Sequence, residues 1–310
     1  MTVSDVRFSV AMSIYKNDVP AQLRESLESI CTQSLEADEI YLVIDGPVSS
    51  ELRDVIDEYA NRYGNFTIFP LEKNAGLGNA LKLAIENCRN DLIFRMDSDD
   101  ISAPDRFRKQ IQAYLEEPAD VIGGYTIGFV GDLENGKVSS AKKKLKNEEI
   151  IRQIGVKSPM SHVTVLLRRE AVLKAGNYQS LFYHEDYYLW ARMIEAHCTF
   201  RNIPEYLVYV RLGQNQATRH GGIRYFAAEK TLRRYMMKNR LCSLPCYIKQ
   251  MAIRMIYQLL IPARFRNILA MKYKRHYLTK DEVEAIVKKN IADDVAYRQS
   301  AQQEKNREGR

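Results

Sequence analysis

The chain has 310 residues, 45% of them hydrophobic and 27% charged, with a net charge of +7. That composition excludes a disordered, collagen-like or low-complexity chain, and no apolar run approaches the ~18 residues that a bilayer-spanning helix needs. The length suits one large domain with an appendage, or two domains.

The N-terminus, MTVSDVRFSVAMSIYKND, carries Asp5 early and has no apolar stretch before a small-residue cleavage site. It does not read as a signal peptide, so a cytosolic location is expected. Arg7–Ile14 reads as a buried strand that ends in a loop at Tyr15–Pro20. Ala21–Gln33 carries Leu23, Leu27 and Ile30 at helical spacing. Glu39–Ile44 is a second apolar strand, stopped by Asp45-Gly46-Pro47. Glu51–Tyr63 is an amphipathic helix, Phe66–Phe69 a third strand and Gly78–Asn87 a third helix. Asp91–Met96 is a fourth strand, running into Asp97-Ser98-Asp99-Asp100. This β-α-β-α-β-α-β order implies parallel pairing with right-handed crossovers. Ligands of such sheets bind beyond the carboxyl ends of the strands, where Asp45 and Asp97 lie.

After Asp100 the alternation breaks down. Arg106–Leu115 and Tyr187–Ala196 read as helices, and Val121–Val130, Thr164–Arg168 and Tyr206–Val210 as strands. Asp132–Lys146 is polar and Lys-rich and reads as a mobile loop. From about Gly222 to about Lys289 the pattern is helical, interrupted near Pro245 and Pro262, and the polar tail from about Ala292 is expected to fray. The cysteines (Cys31, Cys88, Cys198, Cys242 and Cys246) are odd in number and scattered, so no disulfide framework is expected. Nor are Cys242 and Cys246 accompanied by a second pair at zinc-ligand spacing.

Three segments carry chemistry. Adjacent carboxylates in Asp97-Ser98-Asp99-Asp100 repel unless a cation or hydrogen bonds compensate them. A divalent metal with a preference for oxygen ligands, Mg²⁺ or Mn²⁺, suits that position, against the alternative of a solvated acidic cap on the next helix. Asn74-Ala75-Gly76-Leu77-Gly78-Asn79 is Gly-rich after the third strand and either approaches a phosphate or simply turns into the helix. The first strand lacks a G-x-G-x-x-G, which argues against a standard dinucleotide fold. Glu185-Asp186 begins a helix, where acids favour the dipole or serve as a general base.

The segments FSVAMSIYKN, EIYLVIDGP, NAGLGNAL, RMDSDD and YHEDYYLW, in this order over roughly residues 6–225, resemble the family 2 glycosyltransferases of GT-A fold. The phrases FRMDSDD, HEDYYLWARM and RHGG look most like bacterial enzymes that build exopolysaccharide, capsule or O-antigen units. The resemblance implies an α/β, Rossmann-like, mostly parallel central sheet flanked by helices over residues 1–225, with a basic helical C-terminal region over 226–310. It implies that Ser13 and Tyr15 line a base pocket and that Asp45 meets the uracil or ribose, with Asn74 and Gly76 also on the nucleotide. Asp97 would contact ribose or metal-bound water, Asp99 the Mn²⁺ or Mg²⁺ on the diphosphate, and Asp186, with Glu185 beside it, would be the catalytic base. A metal-binding His follows the last core strand in many relatives. His220 is the candidate here, later than usual, and His162 is either a wall of the acceptor pocket or a satisfied structural His.

The implied reaction is inverting transfer from a nucleotide sugar, UDP favoured, to a saccharide or polyprenyl-linked acceptor at the inner face of the cell membrane. The C-terminal charge fits that setting: residues 230–280 hold 13 basic residues and no acid. Acid-free basic amphipathic helices suit an anionic membrane surface, against the alternative of a solvated face on helices that pack on the main domain. Nucleic acid is not an expected partner, because residues 1–229, with 27 basic and 32 acidic residues, would repel phosphate backbones. A sugar nucleotidyltransferase would carry a basic Gly-rich loop after the first strand, and SVAMSIYKND has none. A non-catalytic nucleotide-sugar binder is the remaining alternative, against which the intact Asp97, Asp99 and Asp186 set argues.

Overall fold

Residues 2–131, 133, 136–213, 221–262, 265, 266 and 276–308 are described by the structure, a computed structural model. Strand β1 (Phe8–Ile14) leads to helix α1 (Pro20–Cys31), which opens on Pro20 at a first-turn position where a missing N–H costs nothing. Strand β2 (Glu39–Ile44) is buried throughout and passes to helix α2 (Ser50–Tyr63). Ser49 caps that helix by accepting the Leu52 N–H at 3.3 Å, and Gly64 ends it in the left-handed region. Strand β3 (Phe66–Pro70), helix α3 (Leu77–Asn87) and strand β4 (Leu92–Asp97) complete the alternation. The four strands pair in parallel in the order β3-β2-β1-β4, as the sequence implies.

Successive strand residues point to opposite faces and so feed two cores. Val10, Met12, Ile40 and Leu42 pack with Leu23 and Leu27 of α1 and Leu52 and Ile56 of α2. Ala11, Tyr41 and Val43 pack on the other face with Leu81 and Ile85 of α3.

Beyond β4 the sheet continues with mixed directions. Strand β5 (Ile101–Ser102) and helix α4 (Arg106–Glu116) precede strand β6 (Val121–Val130). Strand β7 (Lys137–Ala141) and helix α5 (Asn147–Gln153) come next, then strand β8 (Leu166–Arg168) and helix α6 (Arg169–Lys174). Helix α7 (Glu185–Glu195) and strand β9 (Phe200–Arg211) follow. Strand β8 is antiparallel to β4 and to the first end of β6, while β7 is antiparallel to the second end of β6. Strand β9 runs parallel along the other edge of β6 and takes β5 at its far end.

Two expectations are corrected in this half. The segment expected to be a mobile loop holds β7, because Val138 joins a third core with Ile127, Phe129 and Tyr209 while its serines lie in the ladder with β6. Strand β9 begins at Phe200, six residues ahead of the expected Tyr206, since Val121–Gly123 supply a partner to Phe200–Asn202.

The C-terminal region contains helix α8 (Ile223–Lys238), helix α9 (Leu244–Met255) with a wider turn over Ile256–Leu260, strand β10 (His276–Tyr277) against β7, and helix α10 (Lys280–Glu308). The helical stretch expected to about Lys289 is interrupted near Pro245 and after Leu260 as expected, and also by strand β10, while residues 267–275 lie outside the described residues. The polar tail is helical to Glu308 rather than frayed. Charge holds it: Lys289 pairs with Glu205 at 2.8 Å, Asp293 with Lys109 at 2.9 Å, and Arg298 donates to the Thr32 carbonyl at 2.7 Å. Helix α8 sends Leu232 and Met236 into the same core as Trp190 and Met193 of α7. Among the described residues no helix is long and apolar enough to cross a membrane.

Candidate active site

The carboxyl ends of β1, β2 and β4 lie side by side, with Ser13 in register with both Val43 and Asp97. Ser13 is half-buried, and Tyr15 beyond it is 37% exposed, its backbone N–H donated to Asp18 at 3.0 Å.

Asp45 closes β2. Its carboxylate is 3% exposed and accepts the backbone N–H groups of Ala75 at 2.6 Å and Gly76 at 3.0 Å and the Asn74 side-chain amide at 2.9 Å. These bonds fold the Asn74–Gly76 loop over the strand end. The approach is close enough to require glycine at position 46: its φ is +86°, and a Cβ there would lie 2.6 Å from the Asn74 nitrogen. At Gly78 an added Cβ would lie 2.9 Å from Glu185 Cγ, so the same Gly-rich segment abuts the start of α7.

Carboxylate oxygens of Asp97, Asp99 and Asp100 lie within 4.8 Å of one another. Arg95, buried two residues earlier on β4, forks onto both Asp97 oxygens, one contact at 2.6 Å. Arg211 donates its backbone N–H to Asp100 at 2.9 Å and its Nε to the Asp99 carbonyl at 3.1 Å. The Ser26 hydroxyl donates to the Asp97 carbonyl at 2.7 Å, tying the acidic turn to α1. Burial pushes the Asp99 carboxyl up, with Asp97 adding to the effect. Asp100 is driven well above the carboxylate range by burial and then by Asp97 and Asp99. A fourth acid, Asp18, is pushed up to about 6 by burial, against hydrogen bonds from the Tyr15 backbone and Ser98. Crowded hard oxygen donors whose negative charge is compensated only in part by protein cations fit a divalent cation such as Mg²⁺ or Mn²⁺.

Glu185 and Asp186 form the first turn of α7. Burial raises both carboxyls. At Asp186 the Tyr187 backbone N–H, His184, Arg95 and Lys143 pull the other way. Lys143 comes from the stretch after β7 and gives its Nζ to the Ser158 carbonyl at 3.1 Å; burial holds its ammonium down to about 8 while Asp186 works to raise it. Tyr178 is buried among the same charges and responds to both Asp186 and Asp97. Arg95 likewise acts on Asp97, Asp99, Asp100 and Asp186. The two acidic motifs, 86 positions apart in sequence at Asp100 and Asp186, therefore share one electrostatic site.

His162 sits under this site with Nε2 2.8 Å from the Tyr178 hydroxyl, and burial with the nearby Arg95 keeps its ring neutral. His220 lies outside the described residues. Arg95, Asp18, Lys143 and Arg211 were not singled out in the sequence. Arg95 had a legible signal, because residues i and i+2 of a strand share a face and Arg95 stands two before Asp97. The others reach the site from distant segments.

Comparison with known proteins places the chain in a family and supports the fold. The family model described as Glycosyl transferase family 2 matches residues 9–176. The amylovoran biosynthesis glycosyltransferase AmsE of Erwinia amylovora is 40% identical over 229 residues, covering 73% of this chain and 84% of that protein. The UDP-Gal:alpha-D-GlcNAc-diphosphoundecaprenol beta-1,3-galactosyltransferase of Escherichia coli is 33% identical over 274 residues, covering 88% of this chain and 98% of that protein. Among solved structures, S. aureus TarS 1–349 in complex with UDP-GlcNAc superposes with a TM-score of 0.63 at 15% identity, over 98% of this chain and 93% of that one. At that identity the likeness speaks for the fold.

Proposed function

Because this chain belongs to glycosyl transferase family 2, we propose that it moves a sugar from a nucleoside-diphosphate sugar, with UDP favoured, to a hydroxyl of a saccharide acceptor carried on a polyprenyl diphosphate. The single observation that carries this reading is the shared electrostatic site of Asp97–Asp100 and Glu185–Asp186 around Arg95. The names of two relatives, one in amylovoran biosynthesis and one acting on a diphosphoundecaprenol-linked sugar, support the surface-polysaccharide setting.

In this mechanism the acceptor hydroxyl approaches the face of the anomeric carbon opposite the leaving diphosphate. Asp186 takes the hydroxyl proton as the new C–O bond forms. The bond from the anomeric carbon to the diphosphate oxygen breaks, its electron pair leaves with the nucleoside diphosphate, and the configuration inverts. Asp99 and Asp97 would hold a Mn²⁺ or Mg²⁺ ion, which when bound supplies charge neutralisation for the leaving group. The Asn74–Gly76 loop and the ends of β1 and β2 would hold the nucleoside, with Ser13 and Tyr15 beside the base. Fixing both reactants in line contributes much of the acceleration.

The C-terminal helices support a position at the inner face of an anionic membrane. On α9 and the turn after it, Leu244, Ile248 and Leu260 are 58%, 58% and 67% exposed, and Lys238, Arg240 and Lys249 on the same region are exposed as well. Apolar and cationic side chains exposed together match the boundary between acyl chains and acidic headgroups.

The test is a panel of UDP-, GDP- and dTDP-sugars incubated with the protein and Mn²⁺, read by released nucleoside diphosphate. NMR of the glycosidic product reports its anomeric configuration. Release from a UDP-sugar with inversion is expected. Absence of release from every donor, with and without a polyprenyl-diphosphate acceptor, overturns the reading.

A further inference from the structure

His184 immediately precedes the helix that begins with Glu185 and Asp186, and its ring is buried. Its Nδ1 lies 2.9 Å from the Phe182 carbonyl oxygen and its Nε2 lies 2.7 Å from Glu229 Oε2. A carbonyl and a carboxylate oxygen can only accept, so both bonds are satisfied together only when both ring nitrogens carry protons. The ring is then a cation adjoining the catalytic pair. Tyr225 covers it, with ring centroids 4.6 Å apart.

Glu229 belongs to α8, in the C-terminal region, and is itself 3% exposed. Its Oε1 accepts Arg233 Nε at 2.7 Å and pairs with Arg254 of α9 at 3.4 Å. Arg233 in turn donates to the carbonyls of Gly155 and Val156. Burial works against ionised Glu229, yet the His184 hydrogen bond, Arg233 and Arg254 outweigh it and hold the carboxyl down to about 2. A carboxylate that stays charged in a dry site, with one oxygen on two guanidinium groups and the other on an imidazole, is built to hold that imidazole as a cation.

We propose that Glu229, acting through His184, is a positioning residue for Asp186: it fixes the first turn of α7 and keeps a positive charge beside the base, which makes helix α8 part of the catalytic apparatus. The inference rests on the reading of Asp186 as the base. The other groups facing Asp186 are Arg95, Lys143, Glu185 and Tyr178. Facing His184 besides Glu229 are Tyr225, Glu185 and Asp186. Facing Glu229 are Arg233, Arg254, Tyr187 and Tyr225. Of these, Arg95 and Lys143 remain in place when Glu229 is neutralised, so the base loses one of three neighbouring cations.

The experiment is the pH–rate profile of Glu229→Gln with saturating donor, alongside Glu229→Asp. Losing the cation raises the acidic limb, so Glu229→Gln should lose about tenfold in kcat at the foot of that limb and less than about twofold on the alkaline plateau. The KM for donor should stay within about twofold, and Glu229→Asp should restore most of the profile. Equal fractional loss at every pH, or none, overturns the proposal. If Glu229→Gln does not fold, the ¹⁵N spectrum of histidine-labelled wild-type protein at pH 7 decides: two protonated ring nitrogens at His184 support it, and one bare nitrogen overturns it. Full turnover in Asp186→Asn would sink the base assignment while leaving the histidine spectrum unchanged, so the two readings fail separately.

Discussion

The guanidinium of Arg95 grips both carboxylate oxygens of Asp97 from a position two residues earlier on the same strand. The pair is unequal in exposure, with side chains 3% and 28% accessible, so the cation is buried and its partner opens to solvent. Arg106, fully buried behind it, donates to the Arg95 carbonyl at 2.8 Å. One strand end thus carries buried cations on the protein side, with the Asp97 carboxylate opening to solvent. Arg95→Met leaves Asp97, Asp99 and Asp100 without their main internal counter-charge. It should lower stability by about 3 kcal/mol, and millimolar Mn²⁺ should recover part of that loss. Thermal unfolding with and without Mn²⁺ measures both; an unshifted melting temperature in the variant removes the electrostatic role given to Arg95.

Gly46→Ala should disturb the Asn74–Gly76 loop proposed to hold the nucleoside. The new Cβ would meet the Asn74 backbone at a left-handed φ, so strain of about 1–3 kcal/mol is expected together with weaker UDP binding. Gly64→Ala is the control, since its φ is also positive but nothing lies within 4 Å. It should cost about 1 kcal/mol and leave UDP binding intact. Calorimetric titration of UDP into both variants separates the two, and equal binding would mean the loop does not hold the nucleotide.

Asp186→Asn and Asp99→Asn should fail in different ways. Removing the proposed base should keep donor affinity and lower kcat by about 10²–10⁴-fold. Removing the proposed metal ligand should weaken UDP binding in Mn²⁺ and leave metal-free binding unchanged. Single-turnover kinetics together with titrations at two Mn²⁺ concentrations test the pair; near-wild-type turnover of Asp186→Asn would exclude it as the base.

The acid dependence of stability carries a definite sign at Glu229. Its carboxyl is held down to about 2 from an ordinary 4.5, so its stabilisation is present above pH 4.5 and disappears as pH falls from there toward 2. The stability gap between wild type and Glu229→Gln should therefore be about 3 kcal/mol above pH 5.5 and close toward pH 2. Asp18 runs the other way. Pushed up to about 6, it contributes stability that is full below pH 3.8 and lost as pH rises through 6, so Asp18→Asn should stabilise the metal-free protein at pH 7. Urea unfolding across pH gives both curves, and a gap that does not vary with pH contradicts the assignment.

Membrane attachment should depend on the exposed face of α9. Wild-type protein should sediment with vesicles containing an anionic lipid at low salt and be released at high salt. The double substitution Leu244→Glu, Ile248→Glu adds two negative charges to exposed positions and should abolish sedimentation without changing the melting temperature. Sedimentation indifferent to lipid charge and to salt would leave α9 without a membrane role.

The parallel half of the sheet was legible because each strand is a short apolar run and each helix carries an apolar stripe at a different period. The second half was harder for a physical reason. Strand β7 reads as polar because Ser139 and Ser140 are tucked into the ladder, and α10 reads as frayed because it is held by Lys109, Glu205 and Thr32 rather than by a long apolar face. In the site, the carboxylates of Asp97, Asp99 and Asp186 announce themselves as adjacent acids. Their partners do not: Lys143 sits inside a lysine-rich stretch, and Glu229 is one acid on an amphipathic helix whose partner lies 45 positions away. Local spacing identifies groups that need compensation, whereas the compensating groups arrive through tertiary folding.

The contact from Arg298 to Thr32 spans 266 positions of sequence. At ribosomal speeds of about 5–20 residues per second, the Thr32 carbonyl emerges roughly 10–50 s before the guanidinium that will meet it is synthesised. Lys109 likewise waits for Asp293, and Glu205 for Lys289. The sheet is therefore synthesised before the strap that crosses it, and helix α10 docks as a late step of folding. Until then Lys109, Glu205 and the Thr32 carbonyl lack their partners on α10.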